Sequence, residues 1–263
     1  MKFSDGLWLN QRGFDVSYAV QAYDVTTTKN SIKIFATSSA IWNRAMTLGG
    51  VAFEITYTAV APDMIRVHIC HHKGGLQNKP QFELNLPEGY VPDDIHEEDG
   101  FVSMTAGHTT LKIKKGTDGW DVSFSRDGKR LTGGGWRSTS YIQENKFHRD
   151  ARLAVQTDDD FFNYPQDAHN TFMREQLTLD VGECVYGFTT FVKNGQNVEN
   201  WNSDGGTCSE QSYKCIPFYI TSNKYGVLVN TADKVSFEVA SDTINKVSFT
   251  VPGEELDYFF IGG

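Results

Sequence analysis

The sequence has no run of lysine and arginine. Basic side chains number 24 against 33 acidic ones, a formal charge of −9. Affinity for a nucleic-acid backbone comes largely from clustered cations that displace counterions. Neither nucleic acid nor an anionic membrane surface is therefore an expected partner, whereas an acidic surface suits a neutral ligand such as a sugar. No apolar stretch approaches the roughly 20 residues needed to cross a bilayer. The opening Met1-Lys2-Phe3-Ser4-Asp5-Gly6 has no apolar stretch of signal-peptide type, which sets the expectation of a cytoplasmic protein. Cysteine is scarce: Cys70, Cys184, Cys208 and Cys215 lack short paired spacing. In a reducing compartment they read as free thiols, although spacing alone does not separate that reading from two disulfides. Repeats and low-complexity tracts are missing. Sustained helical periodicity is missing too, apart from a weak pattern over 209–214.

What remains is a strand-rich composition: 24 glycines, 13% aromatic residues and 39% hydrophobic residues in 263. A period of two marks strands, because successive side chains point to opposite faces. It runs through 16–23, 31–36, 51–58 and 64–70, then 101–105, 109–114 and 120–125, where Arg126-Asp127-Gly128 signals a hairpin into 129–132. Further runs cover 177–181, 217–221, 226–230, 235–239, 246–251 and 256–261. Many strands at short intervals imply an all-β, two-sheet antiparallel β-sandwich, in a single domain over 1–263. The least patterned stretch is 143–176, which holds Asp158-Asp159-Asp160. It reads as an ordered functional loop or a partly mobile one.

The most informative segment is Asn194-Gly195-Gln196-Asn197-Val198-Glu199-Asn200-Trp201-Asn202-Ser203-Asp204-Gly205-Gly206-Thr207. It continues through Ile216-Pro217-Phe218-Tyr219-Ile220-Thr221 and Tyr225-Gly226-Val227-Leu228-Val229-Asn230. Together with Ser4-Asp5-Gly6-Leu7-Trp8-Leu9, Gly182-Glu183-Cys184-Val185-Tyr186-Gly187 and the closing Glu255-Leu256-Asp257-Tyr258-Phe259-Phe260-Ile261-Gly262-Gly263, it closely resembles the N-terminal domain of bacterial α-xylosidases of glycoside hydrolase family 31. The resemblance implies a galactose-mutarotase-like supersandwich; no cofactor and no metal are expected. It further implies a (β/α)₈ catalytic barrel after residue 263, and a loop that lends Asp204, Trp201 and Thr207 to an α-linked sugar bound mainly by that barrel. A carboxylate accepts charge-assisted hydrogen bonds from vicinal hydroxyls, and an indole offers an apolar face to a pyranose. From the residues alone, Asp-Gly-Gly-Thr is also a good turn.

The family's nucleophile motif, of the type Trp-x-Asp-Met-Asn-Glu, is not found here. The chain alone is therefore expected to hydrolyse nothing. Against the family pattern, about four positions are absent after Tyr186. Other constellations are weaker. His68, Cys70 and His72 would share a strand face, but structural zinc takes four ligands. Gly133-Gly134-Gly135 lacks the Lys-Ser/Thr tail of a phosphate loop and reads as a turn. Two competing functions stand beside the accessory domain. A free-standing carbohydrate-binding or mutarotase-like protein would need a deep cleft with a paired histidine and carboxylate, for which His68, His71 and His148 are candidates. A pure interaction module would need neither. A homo-oligomer is compatible with each reading.

Overall fold

The computed structural model describes residues 3–6, 8–74, 81–144, 170–187, 190–192, 196–200, 211–212 and 216–263. The only helix among them is a short 3₁₀ segment, Arg44–Leu48. Everything else regular is β. A nine-stranded sheet runs in the order Thr190–Val192, Val185–Gly187, Phe218–Thr221, Tyr225–Val229, Glu255–Gly262, Met64–Cys70, Ala52–Ala61, Ser31–Thr37 and Gln21–Thr27. A seven-stranded sheet runs Gln211–Ser212, Gln196–Asn200, Ser236–Val239, Lys246–Pro252, Thr171–Thr178, Ser140–Glu144 and Phe14–Tyr18. A five-stranded sheet spans Asp94–Glu98 to Lys129–Gly134, and Ser4–Asp5 pairs with Leu9–Asn10.

One apolar core joins the three large sheets. The nine-stranded sheet turns Ile65, Val67, Ile69, Tyr258 and Phe260 inward, all 2% exposed or less. Phe260 stacks on Phe124 of the five-stranded sheet at 4.2 Å, while Tyr258 meets Phe249 of the seven-stranded sheet edge-on at 5.0 Å. Each buried aromatic removes a large apolar area from water, at roughly 25 cal/mol per Å². The expected hairpin at Asp127-Gly128 is present: their φ angles are +48° and +80°, the paired left-handed geometry of a tight two-residue turn.

Residues 16–23 do not form one strand. Phe14–Tyr18 belongs to the seven-stranded sheet and Gln21–Thr27 to the nine-stranded sheet. The switch lies between Ala19, whose N–H donates to Thr139 O, and Val20, whose N–H donates to Thr37 O, both at 2.9 Å. Gly133 and Gly134 are not a turn either, since they end the Lys129–Gly134 strand. A Cβ on Gly133 would stand 2.2 Å from Val122 O, and one on Gly134 would stand 3.1 Å from Glu175 Oε1. Glycine is needed there for close approach.

A polar seam runs between the five- and seven-stranded sheets beside Gly134. Thr132 Oγ1 of the five-stranded sheet donates to Thr178 O of the seven-stranded sheet at 2.7 Å. Beside it Glu175 is buried among Tyr57, Trp120, Leu177 and Tyr258, accepting from Thr139 Oγ1 (2.7 Å) and Gln176 N (3.0 Å). On the opposite face of the same strand Arg174 is 1% exposed. It donates to Ser140 Oγ (3.1 Å), Ser4 Oγ (3.0 Å) and Asp242 Oδ2 (3.4 Å), and Ser4 Oγ donates to Asp242 Oδ2 at 2.7 Å. The N-terminal strap is thereby tied to the outer face of the seven-stranded sheet, with Phe3 packed between Phe14 and Phe172.

Burial raises the Glu175 carboxyl from 4.5 to about 7, against the opposing hydrogen bonds of Thr139 and Gln176 and the charge of Lys246. The folded state thus holds its proton after the unfolded state has lost it. Stability from this group is full below pH 4.5 and is lost as pH rises to 7. The loss is on the order of 3 kcal/mol. Urea titrations across this window should show wild type weakening relative to Glu175→Gln. A stability difference between the two that stays constant with pH would contradict this.

Candidate functional site

The segment 182–187 shows why its residues take this order. Gly182 has φ +78° at the turn. Glu183 folds back, its Oε2 accepting from Asp180 N at 2.8 Å, while its own N–H donates to Asp180 O at 3.1 Å. Val185 then enters the core fully buried. Gly187 has φ +155°, and a Cβ there would stand 2.4 Å from Phe218 O and 2.8 Å from Tyr219 Cα. The turn aligns Val185–Gly187 against Phe218–Thr221, with Tyr186 opposite Ile220.

At the edge of the seven-stranded sheet Gln196–Asn200 pairs in parallel with Gln211–Ser212, Glu199 opposite Gln211 and Asn200 opposite Ser212. On its other side Gln196–Asn200 pairs antiparallel with Ser236–Val239. The residues that join the parallel pair, 201–210, lie outside the described residues, and with them Trp201, Asp204 and Thr207. The same holds for His148, Asp158-Asp159-Asp160, Cys208 and Cys215. Of the weak helical pattern at 209–214, Gln211–Ser212 is strand.

Sequence reasoning missed a polar cluster on the outer face of the nine-stranded sheet. Arg66 holds Asp257 with two hydrogen bonds, Nε to Oδ1 at 2.8 Å and Nη2 to Oδ2 at 2.7 Å. Asp257 Oδ2 also accepts from Asn230 Nδ2 at 2.8 Å and from Gln81 Nε2 at 3.3 Å. Asn230 Oδ1 takes the N–H of Phe82 at 3.2 Å. The bond to Asp257 raises the already high pKa of the Arg66 guanidinium. Such a fork-to-carboxylate pair is strong and directional, and here it fastens residues 81–82 to the sheet. The cleft beside it, lined by Gln81, Asn230, Thr231, Glu255 and Asp257, measures about 30 Å³. Small-molecule pockets are about 300 Å³ or more, so this one is too small for a sugar.

The described histidines do not converge. His68 and Cys70 share the outer face, but the strand ends at Cys70 and leaves His72 exposed beyond it. His68 Nε2 lies 3.8 Å from Glu255 Oε2, outside hydrogen-bond reach. His71 Nδ1 is 3.0 Å from Ala52 O, and its ring lies 4.0 Å from that of Tyr141. His108 pairs with Asp127 at 2.9 Å on the exposed hairpin. No group of three or more metal-ligating side chains occurs among the described residues. Cys70 and Cys184 are free thiols. Burial pushes the Cys70 thiol up to about 11, helped by Glu255.

Against this geometry, the family model described as the glycosyl hydrolase 31 N-terminal galactose mutarotase-like domain matches residues 54–238. The chain belongs to that family. The α-xylosidase XylQ of Lactiplantibacillus pentosus is 33% identical over the whole chain, which spans 32% of that relative. An α-xylosidase of Emericella nidulans is 35% identical, again over the whole chain and 34% of its own length. This family-31 domain thus spans about a third of the length of the α-xylosidases it matches. Among solved structures, the cycloalternan-forming enzyme of Listeria monocytogenes with a pentasaccharide substrate superposes with a TM-score of 0.69 at 19% identity, covering 95% of this chain and 21% of that one. An α-xylosidase from a soil metagenome complexed with xylose gives 0.57 at 16% identity, over 91% and 32%. At those identities the likeness is one of fold.

In the family-31 domain the Gly187 position is set by sterics. Replacing Gly187 with Ala should cost on the order of 2–3 kcal/mol in chemical denaturation, since the new methyl meets backbone that cannot move aside. Gly182→Ala, where no atom lies within 4 Å of the new Cβ, carries only the cost of its positive φ and should lose less. Equal losses at the two positions would contradict the steric account.

Proposed function

We propose that this domain is the non-catalytic N-terminal part of a retaining α-glycosidase of the α-xylosidase type, working in the cytoplasm. The observation that carries the reading is the whole-chain match, at 33% and 35% identity, to two α-xylosidases about three times as long. The hydrolytic step of such an enzyme needs two carboxyl groups about 5 Å apart, one as nucleophile and one as acid/base. In this reading both belong to a (β/α)₈ barrel that follows residue 263. The domain braces that barrel and contributes Asp204, with Trp201 and Thr207, to the site of an α-linked sugar. Asp204 accepts hydrogen bonds from sugar hydroxyls and Trp201 offers its ring face. The described strands on either side of 201–210 support this role. A rigid sheet edge is a better base for a binding residue than a free loop.

The test is an assay on nitrophenyl α-xyloside and α-glucoside. The 263-residue chain should be inactive, and the longer polypeptide that begins with it should be active. In the active form Asp204→Ala should lower kcat/KM by roughly 10- to 100-fold, the worth of one or two hydrogen bonds to a charged group. Hydrolysis by the 263-residue chain itself would overturn the accessory role. An Asp204→Ala enzyme equal to wild type would remove Asp204 from the site.

A further inference from the structure

Over the outer face of the seven-stranded sheet stands an aromatic pair that the core does not require. Trp8 of the N-terminal strap and Trp136 of the turn after Lys129–Gly134 lie side by side, ring centroids 5.2 Å apart and planes at 57°. They are 71% and 50% exposed, whereas Trp120 is 4% exposed in the core. Burying such rings would stabilise the fold, so two of them held together in water mark a contact surface. The sheet fixes them in place. The Arg137 guanidinium lies over the Trp136 ring at 4.7 Å and over the Tyr18 ring at 5.1 Å. Its Nη1 donates to Trp8 O at 3.0 Å. Both carbonyls of the turn are held by buried side chains: Lys246 Nζ donates to Trp136 O at 3.2 Å, and Gln176 Nε2 to Arg137 O at 2.7 Å. Gln176 is in turn fixed by Ser248 Oγ at 3.0 Å. Arg137 has φ +60°, a left-handed backbone that a non-glycine residue seldom takes. Strain of this kind persists only where the surroundings impose it, and it concentrates at ligand clamps.

We propose that Trp8 and Trp136 form a platform on which pyranose units of an α-linked oligosaccharide stack. The linkage class rests on the α-glycosidase reading above, while the platform rests on the geometry. A pyranose has an apolar C–H face and a rim of hydroxyls. The indoles match the face, and the hydroxyls meet polar groups at the edge, where Tyr18 OH donates to Asn10 Oδ1 at 2.8 Å. Planes at 57° give two successive units of a bent chain one ring each, where a flat ligand would need coplanar rings. Size argues against a protein partner. At these exposures the two indoles offer on the order of 300 Å², taking about 250 Å² for a whole side chain, whereas a stable protein interface takes roughly 800 Å² from each partner. Charge argues against a phosphate-bearing ligand: the chain carries −9, and the guanidinium at the platform is shared between two rings and a carbonyl. The mount supplies the remaining requirement, since rings fixed before binding lose little freedom when a weak ligand arrives.

The experiment labels the 263-residue chain with 5-fluorotryptophan, which puts one fluorine reporter at each of Trp8, Trp42, Trp120, Trp136 and Trp201. Each signal is assigned by its own Trp→Phe variant, and the chain is titrated with maltopentaose, with sorbitol as the polyol control. The Trp8 and Trp136 signals should move together and saturate in the millimolar range. Trp42, 68% exposed on another loop, and the buried Trp120 should stay in place. Trp136→Ala should weaken the binding read at Trp8 by about tenfold or more, the loss of one stacked ring, and an unmoved Trp120 signal reports that the core is intact. Should Trp136→Ala disturb Trp120, the reciprocal variant Trp8→Ala, read at Trp136, carries the test. Signals at Trp8 and Trp136 that do not move, or that move equally with sorbitol, would overturn the proposal. So would movement at Trp201 alone, which would place the sugar at the Asp204 loop and leave that reading standing. Movement with protein concentration in the absence of sugar would assign the pair to a second copy and overturn it too. A longer polypeptide without glycosidase activity would sink the glycosidase reading alone, since the titration is read without hydrolysis.

Discussion

The fold depends on the last strand, which pairs with a strand from the first third of the sequence. Glu255–Gly262 is the last strand, yet it stands in the middle of the nine-stranded sheet, between Tyr225–Val229 and Met64–Cys70. Among the described residues it is the sole link in that sheet between strands from 21–70 and strands from 185–229. Its inner side chains also bridge the opposing layer, with Phe260 on the five-stranded sheet and Tyr258 on the seven-stranded one. Its outer side chain Asp257 locks Arg66, 191 residues away. Closing such a loop costs conformational entropy before any contact compensates for it.

The polar interior follows from how the layers meet. Where the five- and seven-stranded sheets converge, Gly134 leaves room for the side chains of Ser138 and Glu175, and the Glu175 carboxyl sits there with its donors. On the far side of the same strand Arg174 and Asp242 form a buried pair with Ser4 and Ser140. A buried pair of this kind is weak evidence for stability in itself, but it fixes where the N-terminal strap crosses the sheet. Gln196–Asn200 and its edge partner Gln211–Ser212 belong to the same sheet.

Much of this was legible in the residues. Strands with one wet face, such as Met64–Cys70 and Thr109–Lys114, announce themselves by alternation, and Asp127-Gly128 by its turn chemistry. Strands that break the rule were not visible. Ser140–Glu144 and Thr171–Thr178 are buried on both faces while carrying Glu144, Arg174, Glu175 and Gln176, so polarity and burial decouple. Asp94–Glu98 is an edge strand with charged, exposed side chains. The period of two also cannot say which sheet a strand joins, which is why 16–23 looked continuous. At the site the sequence reached further than the geometry: Trp201, Asp204 and Thr207 rest on resemblance, whereas the Asp257 cluster, spread over Arg66, Gln81, Asn230 and Asp257, has no local pattern to betray it.

In the proposed function the sandwich holds a shape for a catalytic partner domain, and for that it must first exist as a closed unit. The most direct measurement is thermal unfolding of residues 1–253, lacking the last strand, followed by near-ultraviolet circular dichroism. Without Glu255–Gly262, Ile65, Val67 and Ile69 lose their neighbours on one side and Phe124 and Phe249 lose ring partners. The truncated chain should show no cooperative transition and no fixed aromatic signal. A sharp transition with native aromatic dichroism would show that the sandwich closes without its last strand and would contradict the account.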